Sequence, residues 1–279
     1  MKKKYCTAVV LAGGSGKRMG TKVHKQYLML KGYPVLYYSL KAFQDSAWID
    51  EIVLVSGAGE EEYCQKEIVE KYSFSKVHKI VAGGAERYNS VWNGLQQITE
   101  KDGFVYIHDG ARPFVDDAMI ERAYRCVEET KACVAGMPVK DTIKVVDEKN
   151  YVKGTPERKT LWLVQTPQVF DVQLIKEAYQ KLINEKIENA TDDAMVVEQM
   201  MGHTVKLYPG AYENIKITTP EDLLVAEAFL KEYARKFKKR GGFSDVVKCG
   251  KSPKNQGKQR KLKKCEKNEK KVLTFRSTL

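Results

Sequence analysis

The sequence predicts an α/β fold: a doubly wound, mostly parallel sheet with a protruding β-arm. Three observations lead there. Short apolar runs alternate with segments of helical period. The runs are apolar almost throughout, as strands covered on both faces are. The glycine-rich and charged stretches "AGGSGKR", "GGAERYNS" and "HDGARP" each follow such a run, where an open α/β sheet keeps its ligands.

Taken in order, Cys6–Ala12, Glu51–Ser56, Lys79–Ala82, Phe104–His108 and Ala132–Pro138 read as strands, with helical segments near 34–45, 59–71, 86–98 and 116–129 between them. Val139–Val164 breaks the alternation. It is polar, β-prone and turn-containing without a helical period, so it reads as an arm leaving the sheet. Helices near 171–184 and 191–201, a strand near 204–208 and a closing helix after "NIKITTPEDL" complete the body. In that last segment Thr219 suits an N-cap, Pro220 the first turn, and Glu221 and Asp222 the positive end of the helix dipole.

The formal charge of +12 is unevenly placed. Residues 231–279 hold 18 Lys/Arg against 4 Asp/Glu, and the remainder is close to neutral. We therefore divide the chain into a domain over 1–231 and, over 232–279, the end of the last helix with a basic tail. Beyond about Lys238 apolar residues are few, and the tail is expected to be disordered. Such a tail can attract anions or RNA, but with almost no interleaved aromatics nucleic acid is not the expected partner. The six cysteines have neither CxxC nor zinc-like spacing, which suits a reduced, cytoplasmic protein. Neither a signal-like start nor an apolar run near the ~20 residues of a membrane span is visible, so no membrane is expected.

"VVLAGGSGKRMG", Val9–Gly20, runs from a buried strand into a glycine-rich turn with cations. A P-loop would need Gly at Leu11 and Ser or Thr at Arg18; a dinucleotide fingerprint would need Gly at Met19. Both templates fail. There remains a loop of exposed backbone N–H groups followed by Arg18 and Lys25. Isolated, these two read as solvated surface cations. After such a loop they read as groups placed to neutralise charge at a phosphorus under attack. Ser15 lacks the surroundings of a hydrolase nucleophile.

"LAGGSGKRMG" with "KQYL" at Lys25–Leu28 strongly resembles the start of sugar-phosphate nucleotidyltransferases. "GGAERYNSV" (Gly83–Val91), "HDGARP" (His108–Pro113), "PVKDTIK" (Pro138–Lys144), "QTPQVF" (Gln165–Phe170), "ATDDA" (Ala190–Ala194) and "NIKITTPEDL" (Asn214–Leu223) narrow this to the 2-C-methyl-D-erythritol 4-phosphate cytidylyltransferase family. The ordered set spans nearly all of residues 5–230. The resemblance implies a Rossmann-like nucleotidyltransferase fold. It also implies Mg²⁺-dependent transfer of CMP from CTP to a polyol phosphate, in non-mevalonate isoprenoid synthesis. It gives Arg18, Lys25 and Lys216 the catalytic roles, with Asp109 as the Mg²⁺ ligand. Ala12, Gly13, Gly14, Gly16, Gly84, Ala85, Ser90, Asp109 and Gly110 would hold the nucleotide. Thr142, Arg158, Thr166, Thr191 and Glu213 would serve the second substrate's phosphate. The family's arm crosses to a second subunit, which implies a homodimer with composite sites.

Two residues depart from the family pattern: Ala85 stands where relatives are often acidic, and His24 where they often have Pro. Arg87 and Arg112 match but read equally well as loop-fixing residues. His108 reads as strand-end packing, Asp192 and Asp193 as the start of a helix, and Trp92 and Trp162 as core or arm packing. A cytidylyltransferase for another polyol phosphate, such as ribitol 5-phosphate, is the nearest alternative. A non-enzymatic anion- or RNA-binding protein acting through the tail is the more distant one.

Overall fold

β1 (Tyr5–Ala12) lies in the interior of a seven-stranded sheet, and its alternating side chains explain why the fold has two faces. The computed structural model describes residues 3–14, 24–187 and 190–239, with backbone alone for 233–239. β1 pairs in parallel with β4 (Glu51–Ser56) on one side and β6 (Gly103–Asp109) on the other, Val9 facing Val53 and Ile107. Cys6, Ala8 and Val10 enter one core. There they meet Leu36, Leu40 and Phe43 of α1 (Val35–Asp45) and Ile120 and Val127 of α4 (Asp117–Thr130). Val9 enters the other, with Val91 and Leu95 of α3 (Arg87–Leu95). α5 (Val172–Asn184) and α6 (Asp193–Met201) cover the same face. Each fully buried Val or Leu contributes about 1.5–3 kcal/mol by leaving water, so covering both faces makes the strands apolar throughout.

The full order is β11-β7-β10-β6-β1-β4-β5, where β5 is Val77–Ala82, β7 Ala132–Pro138, β10 Trp162–Asp171 and β11 Lys206–Pro209. β10 runs antiparallel to both neighbours; every other pairing in this sheet is parallel. The doubly wound, mostly parallel sheet expected from the sequence is therefore what forms. Short elements not anticipated are β2 (Met29–Leu30) and β3 (Tyr33–Pro34), a small hairpin. The segment read as one helix over 59–71 starts as α2 (Glu61–Tyr63) and continues in wider π turns over Cys64–Glu70.

One boundary and one missing strand need correction. The arm is shorter than Val139–Val164, because Trp162–Val164 pair with Pro138–Gly136 as part of β10. What projects is a small hairpin, β8 (Val145–Val146) against β9 (Val152–Gly154). β10 itself was missed because "QTPQ" is polar and contains a proline. The register shift between Val164 and Gln168 accommodates that stretch within the sheet.

Helix ends follow local rules. Asp116, Asp171 and Asp192 each accept a backbone N–H from the first turn of α4, α5 and α6, satisfying donors that a helix leaves orphaned. Before α7 (Pro220–Lys239), Asp222 reaches back to the N–H groups of Thr218 and Thr219 at 2.8 and 2.9 Å. The chain divides into two compact units, Met1–Tyr233 and Ala234–Leu279. The basic tail beyond Lys239 lies outside the described residues, and among those described no helix is long and apolar enough to cross a membrane.

Candidate active site

Asp109 ends β6, beside the end of β1, and its carboxylate is the point on which three cations converge. Lys216 Nζ lies 2.8 Å from Oδ2, Arg87 Nε 3.6 Å from Oδ1 and Arg112 Nε 3.7 Å from Oδ2. Burial alone would raise its pKa, but Arg87, Lys216 and Arg112 outweigh that and hold it well below the usual carboxylate range. Asp109 is therefore an anion at every working pH.

The surrounding loops are clipped together by backbone contacts. Ile217 N–H donates to Ala111 O at 2.9 Å, and Arg112 Nη1 to Asn214 O at 2.8 Å. Buried Asn214 donates to Thr166 O at 2.8 Å. These bonds tie "NIK" to "HDGARP" and hold Lys216 over Asp109. Beneath them His108 is fully buried, with Nε2 3.1 Å from Arg112 O and Nδ1 3.0 Å from Thr166 Oγ1. The Asp109 N–H donates to the same hydroxyl at 3.1 Å. Burial pushes the His108 pKa down to about 4, leaving a neutral imidazole that donates to one partner and accepts from the other. This is the packing role read from the sequence.

Two cavities meet at this cluster and share Arg87, Asp109 and Lys216. The first, of about 340 Å³, is floored by Ala12, Gly13 and Gly14, walled by Gly84, Ala85 and Ser90, and reached by Lys25. Its wall needs small residues. A Cβ at Gly83 would fall 2.9 Å from Ser90 Oγ, and one at Gly84 would overlap Asn89 Cβ. Ser90 fixes this turn by accepting the Gly84 N–H at 3.0 Å and donating to Glu86 O at 3.2 Å. The second, of about 470 Å³, is lined by Trp162, Leu163, Val164 and Gln165 of β10, by Thr166, and by Thr191 and Asp192 before α6. Among these charged groups cations outnumber anions, so the junction attracts anionic ligands.

The family model for IspD, 2-C-methyl-D-erythritol 4-phosphate cytidylyltransferase, matches residues 6–232. The chain belongs to this family. It is 55% identical over 226 residues to the 2-C-methyl-D-erythritol 4-phosphate cytidylyltransferase of Lachnospira eligens, covering 81% of this chain and 99% of that one. Among solved structures it resembles the 4-diphosphocytidyl-2C-methyl-D-erythritol synthase of Anaerococcus prevotii, with a TM-score of 0.72 and 33% identity over 82% of this chain and all of that one. It also resembles the 2-C-methyl-D-erythritol 4-phosphate cytidylyltransferase of Thermus thermophilus, with a TM-score of 0.65 and 30% identity over 80% and 98%.

Within this cytidylyltransferase framework, Ala12, Gly13, Gly14, Lys25, Gly84, Ala85, Ser90, Asp109 and Lys216 gather at the first cavity. Thr166 and Thr191 line the second, although the Thr166 hydroxyl is engaged beneath it by His108 and Asp109. Gly110 lines neither; its N–H goes to Leu11 O at 2.8 Å, and Leu36 leaves no room for a side chain there. Glu213 also lies outside both linings. Thr142 and Arg158 are exposed on and beside the arm, and Arg158 Nη1 donates to Lys140 O at 3.0 Å. Arg18 and Gly16 lie outside the described residues.

The sequence reading missed the support beneath the site. Asp193, fully buried, binds Arg87 through two contacts of 2.9 and 2.7 Å and accepts from Tyr179 Oη at 2.6 Å. Gln168 Oε1 accepts the N–H groups of Asp193 and Ala194 at 3.0 and 2.9 Å. Trp162, read as packing, contributes to the second cavity. No local pattern marks such partners; "TDDA" signalled only a helix start.

Proposed function

We propose that the protein transfers the cytidylyl group of CTP to 2-C-methyl-D-erythritol 4-phosphate, giving 4-diphosphocytidyl-2-C-methyl-D-erythritol and pyrophosphate, a step of non-mevalonate isoprenoid precursor synthesis. A phosphate oxygen of the acceptor attacks the α-phosphorus of CTP in line. The bond to the β-phosphate breaks and pyrophosphate leaves with its electron pair. The observation that carries this reading is the meeting of two cavities at Asp109, Arg87 and Lys216. One is small-residue-walled and suited to a base and its phosphates; the other is open to a second anionic substrate. The family match favours this acceptor over ribitol 5-phosphate. It also accounts for the ordered motifs that a tail-mediated RNA-binding reading leaves unexplained.

Lys25 and Lys216 flank the reacting phosphorus and offset its growing charge, with Arg18 joining them by its match to the family motif. A phosphate monoester is already mostly ionised at neutral pH, so no general base is needed and neutral His108 is left to hold the loop. Ala12, Gly13 and Gly84 present backbone groups to cytosine, and the absence of a bulky side chain lets the base approach. Mg²⁺ is the expected cofactor. Among the described residues no group of three or more His, Cys, Asp or Glu is placed to hold a metal. One hard, permanently ionised carboxylate does fit an ion bound mainly through substrate phosphates and water. Asp109 would hold it, and the ion would neutralise charge on the triphosphate.

The protein acts as a homodimer in the cytoplasm. Supporting the dimer, Val145, Val146, Tyr151 and Val152 of the arm are exposed, Tyr151 by 71%, an apolar surface suited to burial against a second copy. Thr142 and Arg158 would then complete the partner's second cavity, where Arg158 can hold a phosphate bidentately. The first experiment is pyrophosphate release with CTP and Mg²⁺, comparing methylerythritol 4-phosphate with ribitol 5-phosphate. Strong preference for the first is expected; preference for the second would overturn the acceptor assignment and leave the chemistry.

A further inference from the structure

Lys25 sits in a single 3-10 turn, Lys25–Tyr27, whose other residues are tied to different parts of the fold. Buried Gln26 donates its side-chain amide to Ala12 O at the end of β1. Tyr27 reaches the opposite way. Its Oη donates to Glu60 Oε2 at 2.9 Å and lies 3.1 Å from Cys64 Sγ, and its ring meets Tyr63 edge-on at 5.0 Å. His24 opens the turn, its carbonyl accepting the Tyr27 N–H at 2.9 Å. Its Nδ1 lies 2.7 Å from Glu60 Oε1, a close contact that is not an aligned hydrogen bond. One carboxylate thus holds the residue before Lys25 and the residue two after it. Glu60 fits there because residue 57 is glycine: a Cβ at Gly57 would fall 2.5 Å from Glu60 Oε2. Glu60 N–H in turn donates to Gly57 O at 3.0 Å. Glu60 lines neither cavity.

We propose that Glu60, through Tyr27 and His24, is a positioning residue for Lys25, fixing the turn so that the ammonium is presented to the nucleotide phosphates. The inference rests on the cytidylyl-transfer reading, which gives Lys25 its role. Gln26 fixes one point of the turn and the buried Tyr27 ring packs into the core beside it. Glu60 adds a polar hold on the Tyr27 hydroxyl and stands against His24. A lysine stem is flexible, so the backbone beneath it must be held if the charge is to arrive in register, and a displacement of about 1 Å can cost about 100-fold in rate.

The test is a double-mutant cycle. Glu60→Ala, Glu60→Gln and Tyr27→Phe are each made with and without Lys25→Ala. Pyrophosphate release gives kcat and KM, calorimetry gives CTP affinity, and thermal melting checks the fold. With Lys25 present, Glu60→Ala is expected to lower kcat about 10- to 100-fold and to weaken CTP binding, and Glu60→Gln, which keeps an acceptor for Tyr27, to recover part of the loss. With Lys25→Ala, the further change is expected to stay within about twofold. Equal losses in both backgrounds, or none in either, overturn the proposal. Should the wild-type protein bind CTP but not turn over methylerythritol 4-phosphate, the functional reading fails, and coupling in CTP affinity still decides the role of Glu60. Should Glu60→Ala not fold, Tyr27→Phe and Glu60→Gln carry the same cycle.

Discussion

Arg87 and Asp193 are 106 residues apart and form a two-point ion pair, Nη1–Oδ1 at 2.9 Å and Nη2–Oδ2 at 2.7 Å, with the carboxylate fully buried. The pair joins the start of α3 to the start of α6, across the ends of the strands. It leaves Arg87 Nε facing Asp109 at 3.6 Å. Burial would lower the Arg87 pKa, but Asp193 and Asp109 outweigh it and hold the guanidinium charged. Asp193→Ala removes the buried carboxylate and leaves Arg87, 27% exposed, with Asp109 alone among the described residues. The loss should therefore lie nearer about 1–3 kcal/mol than the ~3–5 kcal/mol of a pair buried on both sides. Urea unfolding should show a loss of that order. A loss below about 1 kcal/mol, the range of an exposed pair, would assign the contact to the surface.

Lys25→Ala and Lys216→Ala are expected to keep the fold and lower turnover by at least about 100-fold each, the scale of one lost contact to developing charge. Steady-state kinetics with thermal melting check this. Near-normal turnover in either variant would remove that lysine from the chemistry.

The depressed pKa of His108 makes stability pH-dependent with a definite sign. Between pH 6.5 and about 4 the unfolded chain binds a proton there and the folded chain does not, so stability falls as pH falls through that window. Below it both states are protonated and the effect saturates, at about 3 kcal/mol by the size of the shift. Unfolding free energies at several pH values, for the wild type and His108→Gln, test this. Equal slopes in the two would assign the titration elsewhere. Asp109, held ionised, adds its own loss only in more acidic solution, so neither group should set an acid limb of the rate profile above pH 5.

If the arm completes the partner's cavity, mixed dimers of Arg158→Ala and Lys25→Ala subunits should regain part of the activity, because one of the two sites then has both residues. The measurement is turnover of verified heterodimers after subunit exchange. No recovery would count against a crossing arm.

The alternation of strands and helices, both faces of the sheet and the post-strand loops were legible in the sequence, because covering a parallel strand on both sides requires a continuous apolar run and caps are local chemistry. Gly13–Gly14, Gly84 and Asp109 were legible for the same reason: each lies at or just past the end of its own strand. Tertiary structure alone decided what depends on distant partners. β10 runs antiparallel between β6 and β7 although "QTPQ" interrupts it: Trp162–Val164 pair with β7 and Gln168–Phe170 with both neighbours, and the stretch between them carries no alternation that marks a strand. Asp193 under Arg87, Gln168 under α6 and Glu60 beneath the Lys25 turn carry no pattern of their own. Their roles come from groups brought within 3 Å by the fold, and local sequence encodes period and caps but not which side chains meet across the sheet.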